Sequence, residues 1–175
     1  MSATAVTEYI NSLDLAQFAV AFGSLFEHSP WIAEQAWKKR PFTSPSHMFE
    51  EMKVIVEQSE PEAVLRLLRS HPDLGSRLAM SSDSVKEQAG AGLGSLSPEQ
   101  YEELKELNRR YTEKFAFPFI LAVKGHTSAT IIEAAKRRIH HSEEEERRTA
   151  VEQVFQIAGF RLEDWLNKQQ GVNLS

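Results

Sequence analysis

His71-Pro-Asp-Leu-Gly75, Ser84-Val-Lys-Glu87-Gln88 and the uncharged run Phe115-Ala-Phe-Pro-Phe-Ile-Leu-Ala-Val123 follow one another along the chain. A titratable imidazole, a carboxylate and a dry aromatic wall together suit acid–base chemistry on a small flat molecule. Pro72 biases His71 away from the α conformation, so a helix running through Leu65 and Leu68 stops there and leaves the imidazole at its C-terminal mouth. A histidine so placed can titrate near neutrality, or as a cation can simply be stabilised by the helix dipole. Ser84, Glu87 and Gln88 stand at i, i+3 and i+4, which puts a hydroxyl, a carboxylate and an amide on one helix face. Such a face is an exposed polar stripe or the wall of a site. The glycine-rich sequel Ala89-Gly-Ala-Gly-Leu-Gly94 favours the site, because it lets backbone or ligand come close.

Arg161 is an anomaly of another kind. Val154, Ala158, Arg161 and Trp165 share one face at helical spacing, so a guanidinium sits within an apolar stripe. A buried charge needs a partner, either a protein acid such as Glu87 or Asp73 or an anionic substrate gripped by the planar fork. The run from Phe115 to Val123 is core by default. Where Pro118 keeps the backbone out of regular helix, main-chain N–H and C=O groups need partners, and a small heterocycle with amide-like edges would supply them. The histidines at 28, 47, 71, 126, 140 and 141 form no His-Glu-x-x-His motif, and no metal site is expected. Walker loop, nucleophile elbow and dinucleotide fingerprint are also missing from the sequence, so the economical site needs no cofactor.

The elements that must position these groups read as helices. Ser29-Pro30, Ser44-Pro45 and Ser97-Pro98 each place an N-cap hydroxyl before a proline suited to the first helical turn. Ser97 with Gln100, and Ser142 with Glu145, have capping-box spacing. Apolar residues repeat at helical period in Leu15, Phe18, Ala19 and Phe22, and in Met48, Met52, Ile55 and Val56. The pattern predicts helices over 14–26, 30–38, 45–58, 61–70, 83–92, 98–114, 128–140 and 143–168, with 115–123 an extended connector that has no partner strand. The block Glu143–Glu146 before Arg147-Arg148 reads as a solvated face at a helix N-terminus. The expected architecture is all-α, a compact single-domain bundle of about seven or eight helices over 1–175.

Composition excludes several classes of function. Without cysteine there is no thiolate nucleophile, disulfide, Fe–S cluster or cysteine-based zinc site. A net charge of −5, from 20 Lys and Arg against 25 Asp and Glu, argues against a nucleic-acid partner. The N-terminus carries no signal-peptide pattern and no apolar run reaches membrane-spanning length, so a cytoplasmic protein without a membrane partner is expected.

Taken in order, His71-Pro-Asp-Leu-Gly75, Ser84-Val-Lys-Glu-Gln-Ala-Gly-Ala-Gly-Leu93, Phe115-Ala-Phe-Pro-Phe-Ile120 and Phe160-Arg-Leu162 resemble 2-oxo-4-hydroxy-4-carboxy-5-ureidoimidazoline (OHCU) decarboxylases of urate degradation. Phe26-Glu-His-Ser-Pro-Trp-Ile32 and Arg40-Pro-Phe-Thr-Ser44 add to the resemblance, especially to bacterial forms joined to a urate oxidase domain. It implies an all-helical, cofactor-free carboxy-lyase that converts OHCU to (S)-allantoin and carbon dioxide. The family's catalytic histidine falls on His71, its paired glutamate on Glu87 and its motif arginine on Arg161. Its substrate contacts fall on Pro72, on Ser84, Val85, Lys86, Glu87 and Gln88, on Phe119, Ile120, Leu121, Ala122 and Val123, and on Arg161. The resemblance also implies a homodimer, and fusion to or functional association with urate oxidase. The chemistry agrees: decarboxylation leaves an electron pair that the substrate's own conjugated ring can accept, so the protein must only orient and protonate.

Overall fold

Residues 1–74 and 96–171 are described by the computed structural model, and the predicted helix over 83–92 lies outside them, with Ser84 to Gln88. Among the described residues there are eight helices and no strand: α1 Ala3–Ser12, α2 Leu15–Phe22, α3 Trp31–Trp37, α4 Pro45–Glu57, α5 Pro61–Arg69, α6 Pro98–Phe115, α7 Ser128–Arg138 and α8 Glu143–Gly171. The all-α expectation holds. The chain resolves into two compact units, one of residues 1–70 with 155–175 and one of residues 71–154.

Most helix starts form as their local chemistry dictates. Ser44 accepts from the His47 amide, and Ser97 and Gln100 bond each other's backbone reciprocally, satisfying amides that have no partner inside the helix. Ser142 and Glu145 do the same at 2.9 and 3.2 Å. The bond to Ser142 holds the Glu145 carboxyl below its usual range. Ser29 departs from expectation: its hydroxyl donates to the Glu27 carbonyl at 2.9 Å, and α3 begins after Pro30 with no side-chain cap. α2 ends at Phe22 with Gly23 as its cap, short of the expected residue 26.

In the first unit α1 is an element the sequence reading did not include. It buries only Val6 and Ile10, and its place is fixed from afar. Asn11 mimics a backbone strand, donating to Phe42 O at 2.9 Å and accepting from Phe42 N at 2.8 Å. Arg40 stacks over Trp37 at 4.0 Å and gives its guanidinium to the Asn11 and Leu13 carbonyls, so the last carbonyls of α1 and its cap gain a cationic partner. Phe18, Phe22, Phe42 and Trp165 join in ring contacts of 4.8 to 6.2 Å that fill the space beneath α2.

The second unit is centred on Tyr111 of α6, whose ring meets Phe115, Phe117 and Phe119 at 4.7, 5.9 and 5.3 Å. α6 stops at Ala116, which takes the left-handed conformation with φ 63° and ψ 20°. Beyond it, residues 117–123 run without helix or strand to a turn, as the proline predicts. Phe117, Phe119, Ile120, Leu121 and Ala122 are all buried, so this connector is core as well as corner.

A left-handed alanine costs roughly 1–2 kcal/mol against glycine's freedom there, partly offset by glycine's greater entropy when unfolded. Ala116→Gly is therefore expected to raise unfolding free energy by about 1 kcal/mol, read by urea denaturation. A lower denaturation midpoint would show that Ala116 is not strained.

Candidate active site

α5 delivers His71. Pro61 starts the helix, Leu65, Leu67 and Leu68 bury one side, Arg66 and Arg69 stand in its last turn, and Ser70 caps it. The Ser70 hydroxyl also lies 2.8 Å from Glu27 O and 2.6 Å from Leu67 O. His71 follows at once. The sequence placed the imidazole at a helix end; its position is as expected, and the residue is buried there, only 5% exposed. Of the six histidines it alone is buried, while His28 and His140 are exposed and His47, His126 and His141 lie between. Pro72 is exposed and Leu74 is buried. His71 and the 119–123 connector belong to the same compact unit.

The connector is held by side chains. Arg138 Nη1, from the end of α7, donates to Ile120 O at 2.7 Å, and Gln153 Oε1, on α8, accepts from Ala122 N at 2.9 Å. Arg138 is itself paired with Glu146, its Nε donating to Oε1 at 2.6 Å, and both side chains are almost wholly buried, at 3% and 0% exposure. The same carboxylate accepts from the Tyr111 hydroxyl, and its second oxygen lies 3.0 Å from His141 Nδ1. Arg138 also lies over the Phe119 ring at 4.5 Å. Burial pushes the Tyr111 phenol well above its ordinary range, with Arg138 opposing and Glu146 adding, so it remains a neutral donor.

Glu146 corrects the solvated-face reading of Glu143–Glu146. Its three predecessors are exposed, but Glu146 begins a buried row at four-residue spacing, Glu146, Ala150, Val154, Ala158 and Leu162. That row was a usable signal in the sequence, as it puts a carboxylate on the apolar face of α8. The predicted extension of α7 to 140 also fails, since the helix ends at Arg138 and His141 turns to Glu146. Arg138, Glu146 and Gln153 were not anticipated as site-supporting residues.

In the other unit Arg161 is half-buried, at 32% side-chain exposure, rather than enclosed. Among the described residues the carboxylate facing it is Glu27, 2.6 Å from Nη2, an acid the sequence did not offer as its partner; Nη1 donates to Ser24 O at 3.1 Å and Leu25 O at 3.3 Å. With Trp165, Asp164 and Lys168 these residues line an open cleft of about 500 Å³. No group of three metal-ligating side chains exists among the described residues, and no helix among them is long and apolar enough to cross a membrane.

Residues 11–163 match the family model described as OHCU decarboxylase. The chain belongs to the OHCU decarboxylase family. Within it, the chain is similar to the 2-oxo-4-hydroxy-4-carboxy-5-ureidoimidazoline decarboxylase of Haloferax volcanii, at 47% identity over 157 residues, covering 90% of this chain and 94% of that one. It is 42% identical over 160 residues to the uric acid degradation bifunctional protein of Bacillus subtilis, covering 91% of this chain but only 32% of the longer protein. A crystal structure of an (S)-allantoin synthase superposes with a TM-score of 0.76 at 32% identity, over 91% of this chain and 53% of that chain. An OHCU decarboxylase crystallised in the presence of (S)-allantoin shares the fold at TM-score 0.65 and 23% identity, over 86% and 96% of the two chains.

Two outcomes test these local arrangements. The Arg161–Glu27 pair is partly solvated, so a double-mutant cycle with Arg161→Met and Glu27→Gln is expected to give a stability coupling of about 1 kcal/mol or less, shrinking with salt; a salt-independent coupling of several kcal/mol would mark a buried structural pair instead. Tyr111→Phe removes a hydrogen bond to a buried carboxylate and is expected to cost about 1.5–3 kcal/mol at neutral pH. Because the folded phenol titrates above its unfolded value, the wild type keeps this group's contribution below about pH 10 and loses it as pH rises further. The mutant's stability should fall less steeply there, as read by denaturant midpoints across pH.

Proposed function

We propose that this OHCU decarboxylase converts its substrate to (S)-allantoin and carbon dioxide with His71 as the acid–base group, Glu87 as its charged partner and Arg161 as the anchor for the substrate's anionic part. The observation that carries this reading is the burial of His71. A buried imidazole is kept from free exchange with water, so its proton can be directed. Loss of carbon dioxide breaks one C–C bond and leaves an electron pair on the substrate, which its ring accepts; one proton completes the product. The imidazole supplies or relays that proton, and a carboxylate beside it favours the protonated form. The 119–123 main chain, with Pro72 and the Ser84–Gln88 segment, reads the flat, amide-rich substrate.

Arg161 uses Nη1 on the Ser24 and Leu25 carbonyls and Nη2 on Glu27. In this reading those bonds hold the guanidinium's plane and Glu27 keeps it paired until an anion competes for it. One domain over 1–175 forms a homodimer in the cytoplasm and acts alongside urate oxidase, whose product feeds the substrate; the B. subtilis relative, named a uric acid degradation bifunctional protein, accords with that association.

His71→Gln is the direct test, since a buried position makes alanine a cavity mutation as well as a chemical one. With substrate generated freshly from urate, formation of optically active allantoin is expected to fall about 10²–10⁴-fold in kcat/KM while the thermal midpoint changes little. Near wild-type turnover in the folded variant would remove His71 from the mechanism. Glu87→Gln should likewise lose activity out of proportion to stability.

A further inference from the structure

A trans peptide unit holds its C=O and N–H in opposite directions, which turns the two anchors of the connector into a statement about Leu121. Arg138 draws Ile120 O toward α7 at 2.7 Å. The N–H in the same plane, that of Leu121, must therefore point away from Arg138. Gln153 draws Ala122 N–H toward α8 at 2.9 Å, so the carbonyl sharing that plane, again that of Leu121, points away from Gln153. One residue is left presenting a donor and an acceptor away from the side chains that hold its neighbours. Leu121 is only 6% exposed, yet neither group has a hydrogen-bond partner among the described residues. Buried main-chain groups are rarely left so.

We propose that Arg138 and Gln153 are positioning residues for substrate recognition: by fixing two peptide planes they aim the Leu121 N–H and C=O at an amide edge of the substrate, its ureido group or the lactam side of its ring. A donor and an acceptor on one residue meet an N–H and a C=O of such an edge as antiparallel backbone residues meet each other. A site of this kind discriminates sharply, because an analogue lacking either group leaves a buried polar atom unpaired. Glu146, held by Tyr111 and His141, is the support that keeps Arg138 in place. The inference rests on the reading of 119–123 as a substrate wall.

Gln153 is the position to change, because it is only partly buried, whereas replacing Arg138 strands the Glu146 charge and threatens the fold. Gln153→Met removes the acceptor at similar length and Gln153→Glu restores an oxygen. The expected result is a KM about 3–10-fold higher in Gln153→Met, the worth of one net hydrogen bond, with kcat less affected and KM largely recovered in Gln153→Glu. In parallel, the amide of Leu121 in uniformly ¹⁵N-labelled wild type should shift on titration with (S)-allantoin, a readout that survives if Gln153→Met does not fold. An unchanged KM in folded Gln153→Met, equal losses in both variants, or a Leu121 amide indifferent to (S)-allantoin while the wild type turns over substrate would overturn the proposal alone. A wild type without decarboxylation would overturn the functional reading, and this proposal with it.

Discussion

A carboxylate with no solvent contact, Glu146, sits against the guanidinium of Arg138, and the position of the segment that follows α6 depends on that pair. Moving two such charges out of water costs several kcal/mol each, and their attraction repays it only when the remaining donors and acceptors are also met. Here they are largely met: Tyr111 and His141 serve the carboxylate, and Arg138 extends past it to Ile120 O. A hydrophobic replacement of the pair could fill the same volume, but it could not hold a carbonyl. The network is therefore better understood as a means of orienting backbone than as a source of stability.

Backbone needs orienting there because it has left the helix. In an α-helix every interior N–H and C=O is spent on its own turn, so a helical protein has little main chain to offer a ligand. Left-handed Ala116 and then Pro118 break that economy at the end of α6. The groups released are buried among Phe117, Phe119 and Ile120 and out of reach of bulk water. Side chains from α7 and α8 take one carbonyl and one amide, and among the described residues nothing takes the N–H or C=O of Leu121.

What the sequence disclosed follows the range of each interaction. Ser44, Ser97 and Ser142 cap as expected because cap and amide lie within a turn of each other. Ser29 has the same dipeptide and fails, since its hydroxyl finds the Glu27 carbonyl first. α1 buries two apolar residues of its own and is held by Asn11 and Arg40 through contacts some thirty residues away, beyond any window of periodicity. Arg161 was legible as a charge among apolar neighbours, but its partner Glu27 stands 134 residues away and only the fold could name it. Glu146 was misread because its exposed neighbours share its charge, although its four-residue row with Ala150 and Val154 pointed inward.

Decarboxylation onto a self-conjugated ring asks little of the catalyst's electronics and much of its geometry. In the proposed reading the substrate is its own electron sink, so orientation falls to the chain. An imidazole brought out of water by the end of α5, and a main-chain donor and acceptor fixed by Arg138 and Gln153, are rigid in different ways: one by burial at a helix terminus, the other by peptide planes pinned from behind. In the same reading, rigidity of both kinds would raise the fraction of encounters that are productive, and it would also make the ring's faces distinguishable to the proton that follows. A single stereochemical outcome therefore needs the proton's source and the substrate's plane to be held independently, and the two elements that would do so are separate in the sequence.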